Sequence, residues 1–129
     1  MSNAGDRGSY REVIAWQMGM ELCQKIYSAS SEFPDHEKFG LVAEIRKTAR
    51  SIVFNIAEGH RRRSGREFAR FLDIARGSQA EVDNQLRLAV ELGYLDSRSF
   101  DGLSSLCDET GAVIYSLMIA VRDASHPSQ

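Results

Sequence analysis

The chain has 129 residues, of which 43% are apolar and 26% charged, and its net charge at pH 7 is −2. This composition is typical of a soluble globular protein of one domain, and the net charge argues against a general nucleic-acid binder. No apolar run approaches the roughly 20 residues that span a bilayer, and the N-terminus lacks the apolar core of a signal peptide.

The first predicted helix spans residues 10–32 and ends where Phe33 precedes Pro34, since the residue before a proline avoids the helical conformation. It carries two apolar stripes at helical spacing, one of Val13, Trp16, Met20, Cys23 and Tyr27 and one of Ile14, Met18, Leu22 and Ile26. So wide an apolar arc predicts more than one packing partner. One stripe could pack within the protomer while the other packs against a second copy. Alternatively, the protein is a monomer in which both stripes face the core.

The second predicted helix begins at a cap on Asp35 or His36 and runs to Glu58, with Gly59 as its C-terminal stop. Its apolar stripe is Leu41, Ile45, Ala49, Ile52 and Ile56.

Ser64 opens the third predicted helix, because Ser64-Gly65-Arg66-Glu67 matches a capping box. Its stripe is Phe68, Leu72, Ala75, Gln79, Val82, Leu86 and Ala89, and Gly93 closes it. The fourth helix starts at Ser97 or Ser99 and runs to about Asp123, with a stripe of Leu103, Leu106, Thr110, Val113, Leu117 and Val121.

Four amphipathic helices with short connections and no strand pattern predict an all-α fold, an antiparallel up-down-up-down four-helix bundle. The bundle domain is expected over residues 10–123. Residues 1–9 are expected to be disordered or a cloning remnant, and residues 124–129 to be a flexible tail. Cys23 and Cys107 fit two buried, reduced thiols of a cytoplasmic protein, with a disulfide as the open alternative.

Two sequence blocks resemble a known family when they occur in this order: Asn55-Ile56-Ala57-Glu58-Gly59, and Ile74-Ala75 followed by Gly77-Ser78 and Glu81. Together with Val13, Trp16-Gln17 and Phe33-Pro34, they resemble the four-helix proteins encoded in intervening sequences of large-subunit ribosomal RNA genes. The same family includes the accessory variability proteins of diversity-generating retroelements. The resemblance covers about residues 10–122.

The resemblance implies a ring-like homopentamer with a nucleic-acid or ribonucleoprotein role. The retroelement members assist a reverse transcriptase and are strongly basic. This chain departs from them, since its pI is about 5.9.

A polar cluster is predicted from Ser51, Asn55 and Glu58, which share one helical face at i, i+4 and i+7 spacing. Ser78 and Glu81 form a similar pair on the third helix. These residues either line a functional pocket or hydrogen-bond across the helix pair and fix its register, and we favour the second interpretation.

A basic turn follows the second helix. Residues 46–76 hold nine Lys or Arg against three acidic residues, a local charge of +6, whereas the rest of the chain carries −8. Arginines present paired donors that match phosphate geometry, so the candidate nucleic-acid-binding residues are Arg61, Arg62, Arg63, Arg66 and Arg70. The alternative, which the acidic chain favours, is a solvated turn paired with Glu58, Glu67 or other acids.

No metal-ligand spacing, phosphate loop or activated nucleophile is recognisable, so we expect no metal, no cofactor and no enzymatic activity. We expect a cytoplasmic homo-oligomeric scaffold or binding protein without a membrane partner, and with RNA or a ribonucleoprotein as partner of the basic turn. The alternative is a purely structural or protein–protein interaction module that does not bind nucleic acid.

Overall fold

The computed structural model describes residues 8–124. Its four helices are α1 (Ile14–Ser30), α2 (Leu41–His60), α3 (Gly65–Glu91) and α4 (Ser97–Ala124). Short 3-10 turns at Tyr10–Glu12 and Asp35–Glu37 precede the first two helices. Most of the predicted N-terminal segment and of the predicted tail, residues 1–7 and 125–129, lies outside the described residues.

The helices are arranged in a square. Helix α1 packs against α2 and α4, and α3 packs against the same two neighbours. The connections, residues 31–40, 61–64 and 92–96, are short, so successive helices run antiparallel. Residues 8–124 contain no strand. The predicted all-α, up-down-up-down four-helix bundle is confirmed.

The predicted stripes of α2 and α3 lie in the core, and all their residues except Gln79 are buried. In α1 the buried line passes through Ala15, Gly19, Leu22, Cys23 and Ile26, so it includes two residues of one predicted stripe and one of the other. In α4 it passes through Cys107, Ile114 and Met118, whereas Leu106, Val113 and Leu117 are half-buried. A strict heptad stripe drifts by about 20° per heptad around a straight helix, which explains the offset in α4.

The start of α2 differs from the prediction. Neither Asp35 nor His36 caps the helix, because residues 35–37 form their own 3-10 turn. Instead, the Oε1 atom of Glu37 accepts a hydrogen bond from the backbone N–H of Leu41 at 3.0 Å. This bond, followed by one from the Tyr94 hydroxyl, lowers the pKa of Glu37.

Gly59 does not end α2, so that prediction is wrong. The helix continues to His60, and Gly59 is buried in its last turn. A Cβ atom at this position would lie 2.6 Å from the Cβ of Phe71 and 3.0 Å from Cδ1 of Phe68, both on α3. Gly59 is therefore required for the close approach of α2 to α3 rather than for a helix stop.

Candidate nucleic-acid interface

The basic turn is the tight connection between α2 and α3. The N–H groups of Arg61 and Arg62 bond back to the carbonyls of Glu58 and Gly59, at 3.3 and 3.0 Å, which closes α2. Ser64 then caps α3, since its hydroxyl accepts the N–H of Glu67 at 3.1 Å. Only residues 61–64 separate the two helices, so three consecutive arginines lie at one end of the bundle.

Two of these arginines are partly neutralised by Glu58. Its carboxylate lies 2.8 Å from Nη2 of Arg62 and 3.4 Å from Nη1 of Arg61. The Arg61 side chain is still 73% exposed, and exposed ion pairs of this kind contribute only about 0–1 kcal/mol. The pairs lower the local charge but leave Arg61 accessible.

The Phe71 ring contacts two guanidinium groups, those of Arg62 and Arg70. The Cζ atoms of Arg62 and Arg70 each lie 4.6 Å from its centroid, within the range of a cation–π contact. Arg70 also donates from Nε and Nη2 to the two carboxylate oxygens of Glu67, both at 3.2 Å. This pairing lowers the pKa of Glu67 and raises that of Arg70. Arg70 thus contacts both the Glu67 carboxylate and the Phe71 ring.

Arg63 and Arg66 are exposed and form no ion pair within the described residues. Arg66 and Arg70 line a groove of about 410 Å³ between α3 and α4, together with Arg122 of α4. Sequence reasoning missed Arg122. The available signal was the antiparallel topology, which brings the last turn of α4 beside the first turns of α3. We call these six arginines, Arg61, Arg62, Arg63, Arg66, Arg70 and Arg122, the basic end.

The predicted polar cluster divides into two parts. The hydroxyls of Ser51 and Ser78 lie 2.9 Å apart, and Nδ2 of Asn55 donates to Oγ of Ser51 at 3.0 Å and to its carbonyl at 2.8 Å. These three residues join α2 to α3. Glu58 is instead paired with the arginines, and Glu81 is exposed beside a groove that Ser51 and Ser78 also line.

The polar contact between α2 and α3 extends further along the helices. Nε2 of Gln85 donates to Oγ1 of Thr48 at 3.1 Å, and that hydroxyl donates in turn to the carbonyl of Glu44 at 2.9 Å. The pairs Ser51–Ser78 and Thr48–Gln85 fix which turn of α2 faces which turn of α3. This arrangement matches the register-setting interpretation and brings no base to a nucleophile.

A second polar group, absent from the sequence predictions, lies at the opposite end of the bundle. The Tyr94 hydroxyl donates to Oε2 of Glu37 at 2.9 Å and lies 3.2 Å from Nε2 of His36. The carboxylate raises the pKa of Tyr94. The contact ties the α1–α2 connection to the α3–α4 connection across more than fifty residues of sequence, which explains why local patterns did not reveal it.

The fold and site together define a class: a small four-helix-bundle protein with a concentrated basic end. The profile of the family described as 23S rRNA-intervening sequence protein matches residues 11–116. The chain belongs to this family, as the resemblance predicted. A search of curated proteins finds no match to it. Among residues 8–124, no helix is long and apolar enough to cross a membrane.

Proposed function

We propose that this protein is a non-enzymatic, homo-oligomeric scaffold that contacts RNA or a ribonucleoprotein through its basic end. The observation that carries the proposal is the presence of six arginines, from the α2–α3 turn, α3 and α4, at one end of an otherwise acidic chain. Such a local field attracts phosphates although the net charge is negative. The free thiols of Cys23 and Cys107 support a cytoplasmic location.

The proposal predicts a salt-sensitive affinity for single-stranded RNA, measured by fluorescence anisotropy with a labelled oligonucleotide. Three phosphate contacts would weaken binding about 20-fold between 50 and 200 mM salt, from a slope of about 0.7 per phosphate. The test variant is Arg61→Gln/Arg63→Gln, which spares the Phe71 contacts.

The matched control is Lys25→Gln/Arg98→Gln, which removes the same charge from the α1–α4 groove away from the basic end. The turn variant should bind several-fold more weakly than this control. Equal binding by the two variants, or no binding by the unmodified protein at low salt, would refute the RNA contact.

Self-association is proposed through the face formed by α1 and α2. Met20, Val53 and Phe54 line an apolar groove of about 450 Å³ there, and Phe54 is 61% exposed. A second copy that covers this face would remove apolar surface from water. By family resemblance we propose a ring of five protomers.

Light scattering should give five times the protomer mass of 14.4 kDa. Phe54→Ser should reduce that mass, whereas Phe39→Ser should not, because Phe39 is exposed on the α1–α2 connection and does not line the groove. A monomer at every micromolar concentration would refute the assembly. An unchanged mass for Phe54→Ser would refute this face as the interface.

One observation favours the second candidate, a protein–protein interaction module without nucleic-acid binding. Glu58 and Glu67 already engage Arg61, Arg62 and Arg70. In that case the arginines mainly stabilise the α2–α3 turn. The RNA titration separates the two candidates, because the interaction module would show no salt-sensitive binding.

A further inference from the structure

The groove between α3 and α4 combines a positive rim with an apolar floor. Arg66, Arg70 and Arg122 line it, and Asp73 is the acidic residue among its lining residues. Ala69 and Met118 also line it and are buried to 6% and 7% exposure. The lining side chains carry a formal charge of +2.

Helical spacing brings these groups together. Arg66, Arg70 and Asp73 follow one another at i, i+4 and i+7 along α3, and Met118 precedes Arg122 by one turn on α4. Asp73 therefore lies at the far limit of the groove from the start of α3. Arg66 lies in the first turn of α3, where the N-terminal end of the helix adds its partial positive charge.

The donors of this groove are available to an anion. Arg66 and Arg122 form no ion pair within residues 8–124. Arg70 gives two of its five N–H donors to Glu67, so three remain. Glu67 and Phe71 contact its guanidinium, which lowers the side-chain entropy that Arg70 loses when it binds an anion.

We propose that this groove binds a single phosphate group, and that in the full interaction this phosphate belongs to the backbone of an RNA strand. The RNA source rests on the proposed function, whereas the phosphate site stands on the groove itself. Arg66 and Arg122 contact the phosphate from opposite helices, and Arg70 completes the donor set. Arg122 thereby extends the interface beyond the α2–α3 turn.

The first measurement uses inorganic phosphate and the methyl resonances of methionine in the intact protein, at constant ionic strength. Met118 should shift with saturation, whereas Met18 and Met20 on α1 serve as internal references. Arg66→Gln/Arg122→Gln should abolish the Met118 shift, and Lys25→Gln/Arg98→Gln should retain it. Absence of a saturable Met118 shift in the unmodified protein, or an equal shift with malonate, a dicarboxylate of similar charge, would overturn the phosphate site.

The second measurement titrates the same variants with the single-stranded RNA. Loss of one phosphate contact should reduce the salt slope by about 0.7 and the affinity about 10-fold for Arg66→Gln/Arg122→Gln relative to the control pair. If Arg66→Gln/Arg122→Gln binds RNA as tightly as the control variant does, the groove does not contact the RNA and this part of the proposal is refuted. A Met118 shift with phosphate in a protein that does not bind RNA would uphold the site and refute the proposed function.

Discussion

Gly59 allows the packing of α2 on α3 to be tested against intrinsic helix propensity. The perturbation is Gly59→Ala. In an ordinary helix interior, alanine stabilises the protein by about 0.5–1 kcal/mol relative to glycine. At Gly59 the new Cβ would lie 2.6 Å from the Cβ of Phe71 and 3.2 Å from the carbonyl oxygen of Phe68. Both atoms are fixed to the α3 backbone, so the helices must move apart.

Overpacking of this kind costs about 1–3 kcal/mol, which outweighs the gain in propensity. We therefore expect Gly59→Ala to lower the free energy of unfolding by about 1 kcal/mol, which corresponds to a fall in Tm of about 4 °C for a domain of this size. The matched control is Gly77→Ala on α3. A Cβ there meets no atom within 4 Å, so this variant should be stabilised by about 1 kcal/mol.

The assay is thermal and urea unfolding followed by the helical circular dichroism signal, at one fixed protein concentration because association would shift Tm. A lower free energy of unfolding for Gly59→Ala and a higher one for Gly77→Ala would support the packing explanation. Equal stabilisation by Gly59→Ala and Gly77→Ala would show that α2 and α3 adjust freely and would refute the reasoning.

Three further predictions concern single residues. Ser64→Ala should destabilise the protein by about 1 kcal/mol through loss of the α3 cap, measured by urea unfolding; an unchanged midpoint would contradict the capping role. The pKa of Glu37 is lowered in the folded protein. The resulting stabilisation is fully present above the ordinary pKa of 4.5, and it is lost as the pH falls through the folded pKa. Tyr94→Phe removes one cause of that lowering, so the drop in Tm between pH 6 and pH 3.5 should become smaller than in the unmodified protein, and an identical drop would exclude the contact as its source. Burial raises the pKa of Cys107 to about 11, so thiol reagents at pH 8 should label it in the unfolded but not the folded protein, as followed by mass spectrometry; rapid labelling of the folded protein would show that this part of the core opens.

Hydrophobic periodicity was sufficient to predict the number and order of the helices. The stripe from Leu41 to Ile56 is buried as predicted, because an amphipathic helix in a bundle has one face available for the core. Local rules were less successful where a tertiary contact overrides them. Gly59 has the residue type of a helix stop, but its absent side chain admits α3, and nothing in the neighbouring sequence distinguishes these two uses.

The candidate site was predictable only in its contiguous part. Arg61, Arg62 and Arg63 are adjacent in sequence, and Arg66 and Arg70 follow at helical spacing. Arg122 is more than fifty residues away and becomes a neighbour only through the antiparallel path of α4. The sequence could not predict the ion pairs of Glu58 either. Ser51 and Asn55 precede it, and Arg61 and Arg62 follow it, at spacings that all allow contact on a helix, so Glu58 could pair with either set.

The position of the basic end at one pole of the protomer has a consequence for avidity. In a ring of copies whose helices run parallel to the ring axis, every basic end lies on the same face. An RNA strand bound to the basic end of one copy then encounters the basic end of the next copy at a high effective concentration, which depends on the flexibility of the strand. Such a ring would retain long strands far more strongly than short ones, and the affinity of a single protomer would understate that of the assembly.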